Sequence, residues 1–122
     1  DEEREEVGRR ARERVLAALR REGDDLYLTL PITVPEAVNG ATVEVPTLGG
    51  AVRLKIPPGS QSGQRLRLRG KGAPSPRGGP RGNLYVELSV RIPAELDDAA
   101  REAVDKLAGY YDAGVRDDLT LS

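Results

Sequence analysis

The stretch from Thr42 to Gly72, TVEVPTLGGAVRLKIPPGSQSGQRLRLRGKG, decides the fold. Apolar and charged residues alternate strictly in three short segments of it. The apolar positions are Val43 and Val45, then Val52, Leu54 and Ile56, then Leu66 and Leu68. Because successive side chains of a β-strand point to opposite faces, this period of two predicts three half-buried strands.

Turn residues separate the three segments. Thr47-Leu48-Gly49-Gly50 predicts a tight reversal, because glycine accepts the positive φ that hairpin turns need. Pro57-Pro58-Gly59 and Ser62-Gly63 interrupt the chain before the third segment. The pattern is therefore typical of an antiparallel sheet with one buried face.

Two further strands are predicted, one on each side of this stretch. Asp25–Pro35 alternates over its whole length, and Pro31 within it indicates an edge or a bulge because proline donates no ladder hydrogen bond. Residues 35–40 predict one helical turn, and residues 73–82 predict a mobile surface loop rich in proline and glycine. Asn83–Ile92 is the last predicted strand, with Ile92 among its inward residues.

Five segments together resemble the second C-terminal β-domain of DnaJ-type (Hsp40) co-chaperones. They are GDDLY at 23–27, VPTL at 45–48, LKIPPGSQSG at 54–63, LRLRGKG at 66–72 and GNLYV at 82–86. The resemblance covers roughly residues 20–111. It implies a mostly β fold, a small two-layer antiparallel β-sandwich at residues 24–93, flanked by an N-terminal and a C-terminal α-helix.

The resemblance also implies a function. DnaJ-type proteins hold non-native polypeptides and pass them to a DnaK-type ATPase, which their J-domain stimulates through a His-Pro-Asp motif. This chain has no His and no Cys, so neither that motif nor the family's Cys-rich zinc module is expected in it. What remains is similar to the second β-domain with the helix that dimerises these proteins.

Composition narrows the function further. The 122 residues suffice for one modest core, and the net charge of −1 favours no particular partner. The lack of His and Cys removes the commonest general base and metal ligands, so we expect no enzyme activity, no metal and no cofactor. No apolar run reaches the ~20 residues of a membrane helix, and a cytoplasmic location is predicted. The missing initiator Met is expected of a processed or excised chain.

Residues 1–23 are predicted to form an amphipathic helix, because apolar residues recur on one helical face. They are Val7, Ala11, Val15, Ala18 and Leu19. One interpretation is a partner-binding or self-associating helix, and the other is a helix that packs against the sheet. In the resembled family a strand leads into this position, so a helix here is atypical.

The C-terminal residues 94–111 are also predicted to be helical, with Asp97 as the N-cap, and residues 112–122 to be a loosely held tail. The hypothesis for this helix is homodimerisation. Its candidate residues are Leu96, Val104, Leu107, Tyr110 and Tyr111. Adjacent tyrosines are plausible interface anchors because they are large and amphipathic. Packing of the helix on its own sheet is the alternative.

A second hypothesis is binding of unfolded polypeptide clients by strand addition to a sheet edge, with client side chains entering apolar pockets. The candidate residues are Val38, Val43, Val45, Leu54 and Ile56. All five are equally explained as ordinary core residues.

The segment from Arg53 to Gly82 has many cations and no acidic residue. Its candidate basic face consists of Arg53, Lys55, Arg65, Arg67, Arg69 and Lys71. A competing function is therefore nucleic-acid binding, although the segment lacks the aromatics on which bases stack. The plain interpretation is a solvated sheet face whose balancing acids lie elsewhere. A purely structural dimerisation module is the third alternative.

Overall fold

The structure is a computed structural model that describes residues 18–119. Its strands and helices are β1 (Arg20–Glu22), β2 (Asp25–Thr33), α1 (Val34–Asn39), β3 (Ala41–Thr47), β4 (Gly50–Ile56), β5 (Arg65–Leu68), β6 (Leu84–Arg91) and α2 (Asp98–Ala108). The chain divides into two compact units, one ending at Ile92 and one beginning at Pro93. The first contains every described strand and α1, and the second contains α2.

The larger sheet has the strand order β1-β2-β6-β5. β1 with β2 and β6 with β5 are antiparallel, whereas the central strands β2 and β6 run parallel from Leu26 opposite Leu84 to Thr33 opposite Arg91. The mostly β, two-sheet fold class is confirmed. The parallel pair is a detail that alternation cannot indicate, because a period of two is the same in both kinds of sheet.

The smaller sheet is the hairpin of β3 and β4, in which Val43 lies opposite Leu54 and Thr47 opposite Gly50. The predicted reversal at residues 47–50 is confirmed. The Thr47 hydroxyl accepts a hydrogen bond from the Gly49 N–H at 3.2 Å and donates to the Gly50 carbonyl, which fixes the turn. The three strands predicted from Thr42–Gly72 are thus divided between two sheets, since β5 belongs to the larger one.

Helix α1 follows β2 without a loop because Thr33 caps it. The Thr33 hydroxyl accepts from the Glu36 N–H at 3.2 Å, and the Glu36 carboxylate accepts from the Thr33 N–H at 2.8 Å. This reciprocal pair satisfies two backbone donors at once. The predicted helical turn is confirmed, and it buries Ala37.

Both sheets and α1 contribute to one hydrophobic core. Its buried residues are Leu26, Leu28, Ile32, Ala37, Val45, Leu54, Ile56, Ala73, Leu84, Val86 and Leu88. The inward positions predicted for β6 are correct up to Val90, which is partly buried against the core. Ile92 is the exception: it is 82% exposed, because the strand ends at Arg91 before reaching it.

The predicted end of the N-terminal helix is wrong. Residues 20–22 form strand β1 rather than the end of a helix, because their backbone pairs with Asp25–Tyr27 across the turn at Gly23 and Asp24. The remainder of the predicted N-terminal helix, residues 1–17, lies outside the described residues. Tertiary pairing overrides local helix preference here, which is common for short segments.

In the second unit, Asp97 is the N-cap as predicted: its carboxylate accepts from the Ala100 N–H at 2.8 Å. Helix α2 ends at Ala108 instead of Tyr111, because Gly109 closes it with a tight turn onto Lys106. Within residues 18–119, no helix has the length and apolar character that crossing a bilayer requires.

Candidate binding surfaces

Three of the motifs that suggested the family meet at one end of the central parallel pair. The Asp25 carboxylate accepts from the Asn83 N–H at 2.8 Å, and the Asn83 carbonyl accepts from the Leu26 N–H at 2.8 Å. The Asn83 side chain in turn accepts from the Gly70 N–H at 3.0 Å. These bonds join GDDLY, GNLYV and the end of LRLRGKG into one cluster, which we call the motif clasp.

The clasp also explains the glycines in these motifs. A Cβ on Gly82 would overlap the carbonyl oxygen of Asp24, and one on Gly72 would overlap the backbone of Gly82 and Asn83. The Gly72 N–H donates to the Gly82 carbonyl at 2.8 Å, and the Ala73 N–H donates to the Asp24 carbonyl at 2.8 Å. The predicted surface loop at 73–82 is therefore anchored at both of its ends.

The register that the clasp sets brings two tyrosines together on the outward face of the larger sheet. Tyr27 lies opposite Tyr85 in the parallel pair, and their rings stack with centroids 5.1 Å apart and an angle of 19° between planes. The guanidinium of Arg20 lies 5.1 Å from the Tyr27 ring centroid, and that of Arg65 lies 5.4 Å from it. We call Arg20, Tyr27, Tyr85, Arg65 and Arg67 the aromatic–arginine face.

The surroundings of Tyr27 disfavour ionisation of its hydroxyl. The pKa of the Tyr27 hydroxyl is raised above its ordinary value of 10.0, first by desolvation and then by the carboxylates of Glu22 and Asp25. Arg65 opposes that shift and also forms an ion pair with Glu87 at 3.3 Å. Arg67 stands directly opposite Tyr85 in the register of β5 and β6, and it is exposed.

A bulge positions β5 beside β6. The Leu88 carbonyl accepts from the Gly63 N–H at 2.7 Å, while the Leu88 N–H donates to the Gln64 carbonyl at 2.8 Å, so two residues face one. Gly63 has a φ of 88°, the left-handed conformation that a bulge of this kind requires. The consequence is that Arg65 and Arg67 share the outward face with the tyrosines.

The structure divides the predicted basic face. Arg53 and Lys55 lie on β4 of the hairpin, whereas Arg65 and Arg67 lie on β5 of the larger sheet. Arg69 and Lys71 follow in the turn after β5, and all six cations are exposed. The segment from Arg53 to Gly82 contains no aromatic residue. Two tyrosines from other parts of the chain, Tyr27 and Tyr85, nevertheless lie beside its arginines on β5.

The predicted peptide-binding residues have three different environments. Val45, Leu54 and Ile56 are buried, at 0%, 6% and 1% exposure, so they offer no surface to a ligand in the folded domain. Val43 is half-buried against the core, and Val38 on α1 is 53% exposed. Of these five residues, Val38 and Val43 alone have appreciable exposed surface.

The structure shows an open strand edge, on the part of β2 that β1 does not cover. β1 pairs only with Asp25–Tyr27, so the rest of β2 has no described strand on that side. Residues 26, 28, 30 and 32 direct their backbone toward β6, as the Leu26-to-Asn83 bond indicates, which turns Thr29 and Pro31 outward. Pro31, predicted to mark an edge, therefore lies on this open side.

Two of the candidate dimerisation residues, Val104 and Leu107, lie on α2, a helix that buries none of its own side chains, and Tyr110 and Tyr111 follow it. Val104 is 53% exposed, Leu107 39%, Tyr110 80% and Tyr111 63%, whereas Leu96, before the helix, is half-buried. The i, i+3 spacing of Val104 and Leu107 puts both on one face of α2. The second unit thus exposes four of the five candidate side chains.

Comparison with known families gives a match that covers the β unit. The family model described as DnaJ C terminal domain matches residues 12–93, which include every described strand and the whole motif clasp.

Comparison with curated proteins agrees. The chain is 51% identical over 86 residues to "Chaperone protein DnaJ 2" of Nocardia farcinica and 50% identical over 88 residues to "Chaperone protein DnaJ" of Natronomonas pharaonis. It is 49% identical over 87 residues to "Curved DNA-binding protein" of Coxiella burnetii. These alignments cover 70–72% of the chain and 22–27% of the relatives, so the chain spans about a quarter of their length.

Proposed function

Since the chain belongs to the DnaJ C-terminal domain family, we propose that it is the part of a DnaJ-like chaperone that holds non-native polypeptide and self-associates. Its work is binding rather than catalysis. The two named activities fall to its two units: client contact to the β unit and association to the α2 unit.

The open side of β2 carries the client-binding proposal. An extended peptide adds to a sheet edge by pairing with backbone groups that have no strand neighbour. Thr29 offers an outward N–H and C=O, and Pro31 offers a C=O alone. The missing donor at Pro31 limits the pairing to a few bonds, which suits weak and reversible binding of many sequences.

Side-chain contacts supplement this backbone pairing. Val38, at 53% exposure, lies on the helix that Thr33 caps at the end of β2, and Val43 is partly exposed on β3. These two residues are what remains accessible of the client site predicted from sequence. The buried residues Val45, Leu54 and Ile56 support the site from beneath instead of touching the client.

Self-association rests on α2. Val104 and Leu107 on the helix, with Tyr110 and Tyr111 in the turn after it, gain free energy when they are covered, at about 25 cal/mol per Å² of apolar surface removed from water. A second copy of the same helix supplies a matching surface in a two-fold arrangement. Dimerisation would place two client edges on one particle and raise avidity for long unfolded chains.

The longer relatives suggest the wider context. As part of such a protein, the chain retains clients that a DnaK-type ATPase then takes over, while other parts of the protein address the ATPase. Cytoplasmic residence stays a prediction.

The client proposal is tested by fluorescence anisotropy with a labelled extended apolar peptide and an otherwise identical peptide that is N-methylated at alternate residues. N-methylation removes the donors on one side of the peptide and leaves its side chains in place. We expect the unmodified peptide to bind, and the peptide methylated on its pairing side to lose at least about tenfold in affinity. Equal binding of both peptides would exclude strand addition.

A matched pair of protein variants locates the edge. Thr29→Pro removes an outward donor without touching the ladder to β6, and it should weaken peptide binding. The matched control is Thr29→Ala, which keeps the outward N–H and should leave the affinity for the peptide unchanged. Ser89→Pro, opposite Pro31 on β6, is unsuitable as a control because it breaks the ladder between β6 and β2.

A further inference from the structure

The aromatic–arginine face is not used by the proposed client site. It lies on the outward side of the larger sheet, where Arg20, Tyr27, Tyr85 and Arg67 form one row across all four strands. Tyr27 and Tyr85 are half-buried, and the arginines are exposed. The row therefore combines two stacked aromatic rings with exposed cations on one face of the sheet.

The charges along the row are only partly balanced. Arg65 pairs with Glu87 at 3.3 Å, and Arg20 approaches Glu22 at 4.0 Å. Arg67 and Arg69 have no ion-pair partner within the part of the chain that the structure describes. Arg65, Arg67 and Arg69 recur every second residue, so this edge of the sheet attracts an anion that extends along the strand.

The two tyrosine rings indicate that the ligand also has a planar group. The planar guanidinium of Arg65 already lies 5.4 Å from the centroid of the Tyr27 ring. Tyr85 is covered on one side by Tyr27, and no described cation lies over it. On the other side of Tyr85 the exposed Arg67 is its register partner on β5, so a base stacked on that ring would lie beside a guanidinium.

We propose that this face binds single-stranded nucleic acid, with its phosphates along Arg65, Arg67 and Arg69 and a base stacked on Tyr85. Cations that follow the backbone together with aromatics that stack bases are the two requirements of such sites. A duplex would use only the cations, because its bases are already stacked on each other. An acidic peptide would also use only the cations, because it has no base to stack on the tyrosine rings.

The test uses fluorescence anisotropy of the full chain with a labelled single-stranded oligothymidine at several salt concentrations. Two variants address the base contact: Tyr85→Leu removes the ring, and Tyr85→Phe keeps it. We expect Tyr85→Leu to weaken binding by about tenfold and Tyr85→Phe to bind as the unchanged chain does. Loss in both variants, or in neither, would overturn the base contact.

The phosphate contact has a matched control in the hairpin. Arg65→Gln/Arg67→Gln removes two cations spaced by one residue on β5, and Arg53→Gln/Lys55→Gln removes two with the same spacing on β4. Only the first pair should weaken binding, and it should flatten the slope of log affinity against log salt by about 1.4. Equal effects of both pairs would mean that net charge alone is responsible and would overturn the site.

Two competitors separate the remaining ligands. An unlabelled duplex of the same length and a polyglutamate peptide should displace the oligothymidine far less well than unlabelled single strand does. Displacement by the duplex at equal concentration, effective competition by polyglutamate, or no binding of the oligothymidine at all would each refute the proposal. Far-UV circular dichroism checks that every variant is folded.

Discussion

Gly82 lies against the carbonyl oxygen of Asp24 so closely that the two positions leave no space for a Cβ between them. The contact joins the start of β2 to the start of β6, on which the register of the central pair depends. Gly82 does not have a positive φ, so space rather than backbone conformation requires glycine here.

Replacing Gly82 by alanine should therefore destabilise the domain by about 2–3 kcal/mol, as overpacking does. Urea denaturation measures the loss. The matched control is Gly79→Ala in the same loop, where φ is 92° but no atom lies within 4 Å of the added carbon. That change should cost only about 1 kcal/mol of backbone strain. A larger loss at Gly79 would contradict the packing argument.

The hydrogen bond from the Asn83 N–H to the Asp25 carboxylate gives a second prediction. Asp25→Ala leaves that N–H without its partner in a partly buried place, so stability should fall by about 1–3 kcal/mol. Asp24→Ala is the control, since the clasp uses the Asp24 carbonyl and its side chain makes only an exposed contact with Arg21. Thermal denaturation of both variants measures the two losses of stability. Equal losses would mean that the hydrogen bond to the Asp25 carboxylate does not stabilise the domain.

The division of the predicted client residues gives a third prediction. Ile56→Ala should destabilise by about 2–5 kcal/mol because it opens a cavity in the core. Val38→Ala, at an exposed position, should change stability by less than about 0.5 kcal/mol and lower the affinity for an apolar peptide. Denaturation together with peptide titration checks both. Unchanged peptide affinity in Val38→Ala would remove that residue from the client site.

Dimerisation through α2 gives a fourth. Val104→Ala/Leu107→Ala trims the apolar face while keeping a residue of high helix propensity. It should shift the solution mass measured by sedimentation toward the monomer. Glu102→Ala/Asp105→Ala, a double change at charged positions of the same helix, should not. A chain lacking everything after Ile92 should sediment with the mass of one truncated chain; sedimentation as two truncated chains would exclude α2 as the interface.

The raised pKa of Tyr27 gives a pH prediction. A folded-state pKa above the unfolded value means that ionisation opposes folding, so stability is intact below the ordinary value of 10.0 and is lost as pH rises through the folded pKa. Tyr27→Phe should reduce this alkaline loss. Tyr110→Phe, at 80% exposure, should not. Urea midpoints at several alkaline pH values decide between them.

Sequence patterns predicted the strands well because each has one buried face. Val45, Leu54, Ile56, Leu84 and Val86 are all buried where alternation places them. The N-cap of α2 at Asp97 was predicted as well, since a cap acts within four residues, whereas the Thr33 cap of α1 was not predicted. What is local in the chain was predictable.

The binding surfaces were less so, because they depend on which strands are neighbours. Tyr27 and Tyr85 meet only because β2 and β6 pair in parallel, and no local signal states that pairing. Core residues such as Val45 were predicted as client contacts for a related reason. A strand that faces the core and a strand that lines a ligand groove have the same alternation of apolar and polar residues. β1 was mistaken for helix because three residues carry too little pattern.

The parallel pairing of β2 with β6 has a consequence for how the chain acquires its fold. Asp25 and Asn83 are 58 residues apart, so the clasp forms only after a long loop has closed, and such contacts slow folding. The β3–β4 hairpin, by contrast, is local and forms within about 1–10 μs. During synthesis β2 leaves the ribosome long before its partner. Until β6 emerges, a domain whose proposed task is to hold unpaired strands is itself a chain with an unpaired strand.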